Sequence, residues 1–401
     1  MTRLYGKVAK NHLKAARKVA LGLTVSAISL STAAAAADFK VGFVTTMTGS
    51  NSAIGLDLLD GFNLALQLKG TEHGDSKIEV ITADDQQKPD IGRQAAERLI
   101  ERDRVDLVTG TVFGNILPVV AQATVDLDRI YISINGGARS FAGANCDPNM
   151  FFASWQTEGP HEAIGAYAQQ EGFKKVYMMA PDYSPGHEMV EGFKRFYKGD
   201  VVGEVYTPLS NLDFAAELAK VRQAAPDALY IFYPGGMGVS FLKQFEAAGL
   251  EDLPLIGASF SFDQTVLPSV GDAAVGAVYS SFWGEELDNE ANKEFVSAYK
   301  ETYGRAPTGY AAQGYDGALL ISAALESLKG KEVDTDSLRT ALAEAEFDSV
   351  RGSFKFNTNH FPIQDWYWGE VVKGDDGASV PVIRGKVLEN QPDAFAEQCQ
   401  M

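Results

Sequence analysis

Strand-like and helix-like segments take turns along this chain with a regularity that leaves few folds open. Residues 78–110 show the unit. A strand over Ile78 to Thr82 runs into the polar loop Asp84-Asp85-Gln86, and Pro89 then opens a helix in which Ile91, Ala95 and Leu99 recur at i, i+4 and i+8. A second apolar strand follows over Val105 to Val108. Such a unit lays two parallel strands side by side under a crossover helix. The same grammar precedes it, with a strand over Phe39 to Thr45, a loop over Thr46 to Ser52 and a helix whose Ile54, Leu58, Phe62 and Ala65 share a face. It also follows, with a loop from Thr109 to Asn115, a helix through Val119 and Ala123, and a strand from Ile130 to Ile134 that ends at Asn135-Gly136-Gly137.

A second run then begins. Lys175 to Met179, Ala228 to Tyr233, Leu255 to Ala258 and Ala277 to Phe282 read as strands, with helices from about Pro185, Ala215 and Gly238 between them. Two runs of this kind predict an α/β protein with two doubly wound parallel-sheet lobes. In open parallel sheets, ligands bind at the carboxyl ends of the strands. The loops at those ends are rich in Gly, Ser, Thr, Asn and aromatic residues, the equipment of a small-molecule pocket between lobes.

The first 37 residues form an export signal. Arg3, Lys7, Lys10, Lys14, Arg17 and Lys18 come without an acid, Val19 to Leu30 is apolar, and Ser31 to Ala37 is small throughout, which predicts cleavage after Ala36 or Ala37. The apolar run is too short to span a bilayer, so membrane insertion after cleavage is not expected. Cleavage takes six of the 35 basic residues and none of the 53 acids, leaving 29 against 53 and a net charge of −24. A surface of that charge repels nucleic acid. Cys146 and Cys399 are the only cysteines, and in an exported chain they read as one disulfide, with two reduced buried thiols as the alternative.

No motif for catalysis, metal binding or a nucleotide cofactor appears, which argues against an enzyme. Ser184-Pro185-Gly186 is a helix start aimed at the cleft, His187 in its first turn reads as structural, and Asp84-Asp85 reads as a solvated capping loop.

From residue 39 to about 385 the chain resembles the Leu/Ile/Val-type periplasmic binding proteins of ABC importers. The resemblance rests on Val41-Gly42 through Gly61, on Asp182-Tyr183 and Gly192-Phe193-Lys194, on Tyr310-Ala311-Ala312-Gln313-Gly314-Tyr315-Asp316, and on Arg351-Gly352-Ser353-Phe354-Lys355-Phe356. It implies a monomeric periplasmic receptor that closes on a solute without a cofactor and delivers it to a membrane permease. It further implies three chain crossings, near Ser154 to Gln156, Phe282-Trp283 and Ser349 to Gly352. On that basis one lobe comprises 38–155 and 284–350, the other 156–283 and 351–390, and 391–401 forms a tail that the disulfide ties back to the first lobe.

The cleft departs from the family's amino-acid pattern. Gly114 occupies the place of the serine that takes an amino acid's carboxylate, and Ser259 to Phe262 carry no acid to balance an ammonium. The expected ligand contacts are Thr48, Ser52, Phe113, Gly114, Asn115, Asn135, Gly136, Trp155, Tyr183, Tyr233, Ser259 and Phe260. Helix-start amides near Ser52 and Asn115, with the hydroxyls of Thr48 and Ser52, would hold a ligand carboxylate; Arg139 is the competing partner. This favours an aromatic or other organic acid lacking an α-ammonium. An amino acid or amide in the same cleft is the alternative, and an exported hydrolase or a sensory domain is a more distant one.

Overall fold

The computed structural model describes residues 37–401 apart from Ser50, and the expected leader lies outside the described residues but for Ala37. The first sheet contains β1 (Ala37–Thr45), β2 (Glu72–His73), β3 (Ser76–Asp84), β4 (Leu107–Gly110), β5 (Ile130–Ser133) and β6 (Met150–Phe152), in the order β2-β3-β1-β4-β5-β6. All pairings are parallel except β2 with β3. The period-two alternation of a strand explains why these segments are apolar throughout. Phe43, Leu107 and Ile132 enter one hydrophobic cluster, while Val44, Val108 and Tyr131 enter another on the opposite face. On the second face lie α2 (Pro89–Glu101) and α3 (Leu117–Asp126), which contribute Leu99 and Val120 to that cluster.

The second sheet has eight strands: β7 (Lys175–Pro181), β8 (Asp200–Thr207), β9 (Ala228–Ile231), β10 (Leu255–Ala258), β11 (Val278–Ser281), β12 (Phe354–Phe356), β13 (Pro362–Lys373) and β14 (Ser379–Gln391). Its β7 to β11 portion is parallel, as expected from the alternation. The far edge is not, because β12 and β14 flank β13, which runs antiparallel to β11. The two parallel-sheet lobes expected from the alternation are thus present, each with antiparallel pairing added at one edge. The missed signal was Gly374-Asp375-Asp376-Gly377, a hairpin turn closed by Gly374 N–H donating to the Ala378 carbonyl at 2.7 Å.

Helix α1 (Ser52–Lys69) of the first lobe packs against α10 (Gly309–Ser327), far along the chain. Two glycines permit the approach: a Cβ on Gly61 would meet the Ala311 carbonyl oxygen at 1.9 Å, and one on Gly314 the Leu58 carbonyl oxygen at 1.9 Å. Helices α9 (Glu290–Tyr303) and α11 (Thr335–Ala343) flank this pair.

One side chain holds distant segments of the chain together. Arg351 is buried, donates from Nε to Asp316 Oδ2 at 2.8 Å, and gives three of its four other N–H groups to the Ala153 and Ser154 carbonyls and to Gln364 Oε1. Its guanidinium also faces the Phe282 ring at 6.0 Å. Asp316 in turn accepts from Ser349 Oγ and Val350 N–H, so both charges are satisfied where neither could be solvated.

Cys146 and Cys399 are bonded, with Cα atoms 5.6 Å apart. The tail does not rely on the bond alone. Phe395 is buried in the second cluster of the first lobe with Phe141, Phe152 and Phe361, so apolar packing holds the tail as well. Among the described residues no helix is long and apolar enough to cross a membrane.

Candidate functional site

Between the lobes, at the carboxyl ends of both sheets, is a cavity of about 450 Å³, within the roughly 300–1,000 Å³ usual for small-molecule sites. The first lobe supplies the loop after β4, with Phe113, Gly114 and Asn115, and the loop after β5, with Asn135, Gly136 and Ala138. Opposite them is the start of α6 (Ser184–Phe196), with Tyr183, Pro185, Glu188 and Met189. Trp155, Phe260 and Tyr310 close the hinge end as an aromatic wall, with ring centroids 5.2 Å apart for Trp155 and Phe260 and 6.3 Å for Phe260 and Tyr310. Each of the three also borders a smaller cavity of about 60 Å³ beyond the wall, which Ser259 and Asp263 line.

Among the described residues the cavity wall contains no Lys, Arg or His, and Glu188 is its only carboxylate. Its donors are neutral. The phenol groups of Tyr183 and Tyr310 have no hydrogen-bond partner among the described residues, and burial pushes both well above the usual phenol range. Backbone N–H groups of Gly114 and Asn115 are likewise unpaired there, ahead of α3. Asn135 donates from Nδ2 to the Val112 carbonyl at 2.6 Å and leaves its buried Oδ1 without a partner.

Of the twelve expected contacts, Phe113, Gly114, Asn115, Asn135, Gly136, Trp155, Tyr183 and Phe260 line this cavity, and Ser259 lines only the smaller one. Three others do not. Thr48 donates to Asp84 Oδ2 at 2.6 Å at the surface, in a loop that Asp84 holds by also accepting from Met47 N–H. Ser52 begins α1 away from the wall. Tyr233 is fully buried in the core of the second lobe, where its hydroxyl meets Thr207 Oγ1 at 3.0 Å. The carboxylate cradle expected from Thr48 and Ser52 is thus withdrawn.

Arg139 is also committed elsewhere. It begins the short helix α4 (Arg139–Ala142) and donates from Nε to Glu158 Oε1 at 2.5 Å; Glu158 also pairs with Arg195 of α6. The Phe395 ring lies 5.3 Å from the Arg139 guanidinium and 5.1 Å from that of Arg195. His187, read as structural, meets Asp182 Oδ1 at 2.8 Å and stacks on Tyr206. Asp85, read as solvated, is buried and accepts from Thr46 Oγ1 at 2.6 Å.

Among the wall residues that escaped the sequence reading are Glu188 and Tyr310. Glu188 lies four residues after Ser184, hence on the same face of α6, and that spacing was the available signal. Tyr310 reaches the wall only because the Gly61 and Gly314 contacts bring α10 against α1. Among the described residues there is no group of three or more His, Cys, Asp or Glu side chains that could hold a metal ion.

The profile of a family described as periplasmic binding protein matches residues 38–377. A Leu/Ile/Val-binding protein homolog 6 from Brucella melitensis is 26% identical over 379 residues, covering 90% of this chain and 94% of that one. Among solved structures, a solute-binding protein of an ABC transporter from R. palustris in complex with benzoate superposes with a TM-score of 0.83 at 29% identity, over 91% of this chain and 100% of that chain. A solute-binding protein of an ABC transporter from Rhodopseudomonas palustris BisB5, in complex with 3,4-dihydroxybenzoic acid, gives 0.82 at 31% identity, over 89% of this chain and 99% of that chain.

Proposed function

This chain belongs to the periplasmic binding protein family, and from that premise we propose that it captures an aromatic carboxylic acid between its lobes and hands it to the membrane permease of an ABC importer. It binds a solute and is not an enzyme. The observation that carries the aromatic-acid reading is the cavity itself, with Trp155, Phe260 and Tyr310 as flat apolar walls beside neutral donors and no cation. A benzoate-sized ring fits within this cavity, and its carboxylate takes hydrogen bonds from the free N–H groups of Gly114 and Asn115 and from phenol hydroxyls. The two structural relatives that hold benzoate and 3,4-dihydroxybenzoate support the same reading. The mature protein acts as a periplasmic monomer after cleavage near Ala36 or Ala37. Its lobes, 38–155 with 284–350 and 156–283 with 351–390, close about the crossings that Arg351 ties.

Glu188 favours a second reading. A carboxylate in the wall is what a ligand ammonium needs, so a branched-chain or other amino acid is the competing solute. Isothermal titration of the mature protein with benzoate, 4-hydroxybenzoate, leucine and isoleucine separates the two. Heat from the benzoic acids and none from the amino acids is expected; the reverse pattern overturns the aromatic-acid reading.

A further inference from the structure

Resting on that reading, we infer that Glu188 accepts a hydrogen bond from a donor at the end of the solute remote from its carboxylate, so that the preferred solute is a hydroxylated or amino-bearing aromatic acid rather than benzoate. Among the described residues Glu188 is the only acid in the cavity wall, and none there is a base to balance it. It forms no ion pair among the described residues, and its one hydrogen bond is from Ser184 Oγ to Oε1 at 3.0 Å. Its other oxygen has no partner there.

A solute entering the cavity displaces water from this partly exposed carboxylate, and a charge so desolvated and left unpaired weakens binding. A solute carboxylate placed beside Glu188 would make matters worse by like-charge repulsion. The anion is therefore directed to the first-lobe wall, where the unpaired N–H groups of Gly114 and Asn115 lie, and the opposite end of the ring is left facing α6. A phenolic hydroxyl or an arylamine at that end supplies the proton donor that Glu188 lacks. Benzoate supplies none. A site built to pair a polar group discriminates strongly against an analogue without it, because the protein's own group is then stranded.

The test is calorimetric titration of the mature protein with benzoate, 3-hydroxybenzoate, 4-hydroxybenzoate, 4-aminobenzoate and 4-methoxybenzoate, repeated for Glu188→Leu and Glu188→Gln. In the unsubstituted protein, at least one hydroxyl or amino compound is expected to bind tenfold or more tightly than benzoate and 4-methoxybenzoate. Glu188→Leu is expected to abolish or invert that ratio, whereas Glu188→Gln, which keeps an acceptor oxygen, retains part of it. Unliganded melting temperatures check that each variant is folded, and the readout is a ratio between ligands, which a general loss of stability does not change. Equal affinities for benzoate and the hydroxybenzoates, or a preference that survives in Glu188→Leu, overturns the assignment to Glu188 while the aromatic-acid reading stands. Absence of binding by every benzoic acid overturns both.

Discussion

Gly114 of the first lobe lies directly against Pro185 of the second, so closely that a Cβ on the glycine would be 3.2 Å from Pro185 Cγ. The N-terminal turn of α6 closes down on the loop after β4, and a second approach joins Asn51 to Gly235, where a Cβ would be 3.3 Å from Asn51 Oδ1. A side chain added at Gly114 would therefore press on the start of α6.

Gly114→Val is expected to weaken solute binding by obstructing closure while leaving the unliganded fold intact. Overpacking at a tight contact costs about 1–3 kcal/mol, or roughly 5- to 150-fold in affinity. Titration calorimetry measures the loss; unchanged affinity would show that the lobes do not need this contact to close.

The Arg351 and Asp316 pair predicts a large stability effect. Arg351→Met strands a buried carboxylate and frees the carbonyls of Ala153 and Ser154, so urea unfolding should show a loss of about 3–5 kcal/mol. As a control, Arg93→Ala removes an exposed pair with Glu97 and should cost only about 1 kcal/mol or less. Comparable losses in the two variants would contradict the crossing role given to Arg351.

Breaking the link between Cys146 and Cys399 opens a loop of 253 residues, for which the chain-entropy model gives an upper figure of about 5 kcal/mol. Because Phe395 remains docked, the single change Cys399→Ser should leave the tail largely protected from carboxypeptidase, and the double change Cys399→Ser with Phe395→Ala should expose it. Rapid trimming of the single variant would mean that Phe395 contributes little.

Glu162, buried beside Glu158, predicts a pH dependence. Burial is the main cause, against the opposing pull of Arg195, and pushes its carboxyl up to about 7 from an ordinary 4.5. The folded protein then holds a proton that the unfolded chain has lost, so between about pH 4.5 and 7 this group lowers stability as pH rises. Glu162→Gln should remove that decline, which is on the order of 2–3 kcal/mol by linkage. Urea midpoints at pH 5 and pH 8 measure it, and a variant whose two midpoints differ as much as those of the parent would refute the assignment.

Much of this molecule was legible before any coordinates. Alternating apolar segments with helical spacing between them dictated two parallel-sheet lobes, because strands buried on both faces must be apolar throughout and crossover helices must be amphipathic. Glycine- and asparagine-rich loops at strand ends marked Phe113 to Asn115 and Asn135 to Gly136 as cavity wall, since those loops collect where parallel strands end. Two cysteines in an exported chain marked their own partnership.

Side-chain direction was another matter. Tyr233 and Tyr183 both follow strands of the second sheet, yet one fills a core and the other a cleft, and only packing of α8 (Gly235–Ala247), which places Phe241 against Tyr233, separates them. Arg139 was credible as an anion partner until the fold brought Glu158, Arg195 and Phe395 to it from three other parts of the chain. Glu188 and Tyr310 became wall residues through contacts made by whole elements. Local periodicity fixes which residues share a face, because that depends on neighbours a few positions away. Which faces meet depends on contacts between distant segments, and those exist only in the tertiary structure.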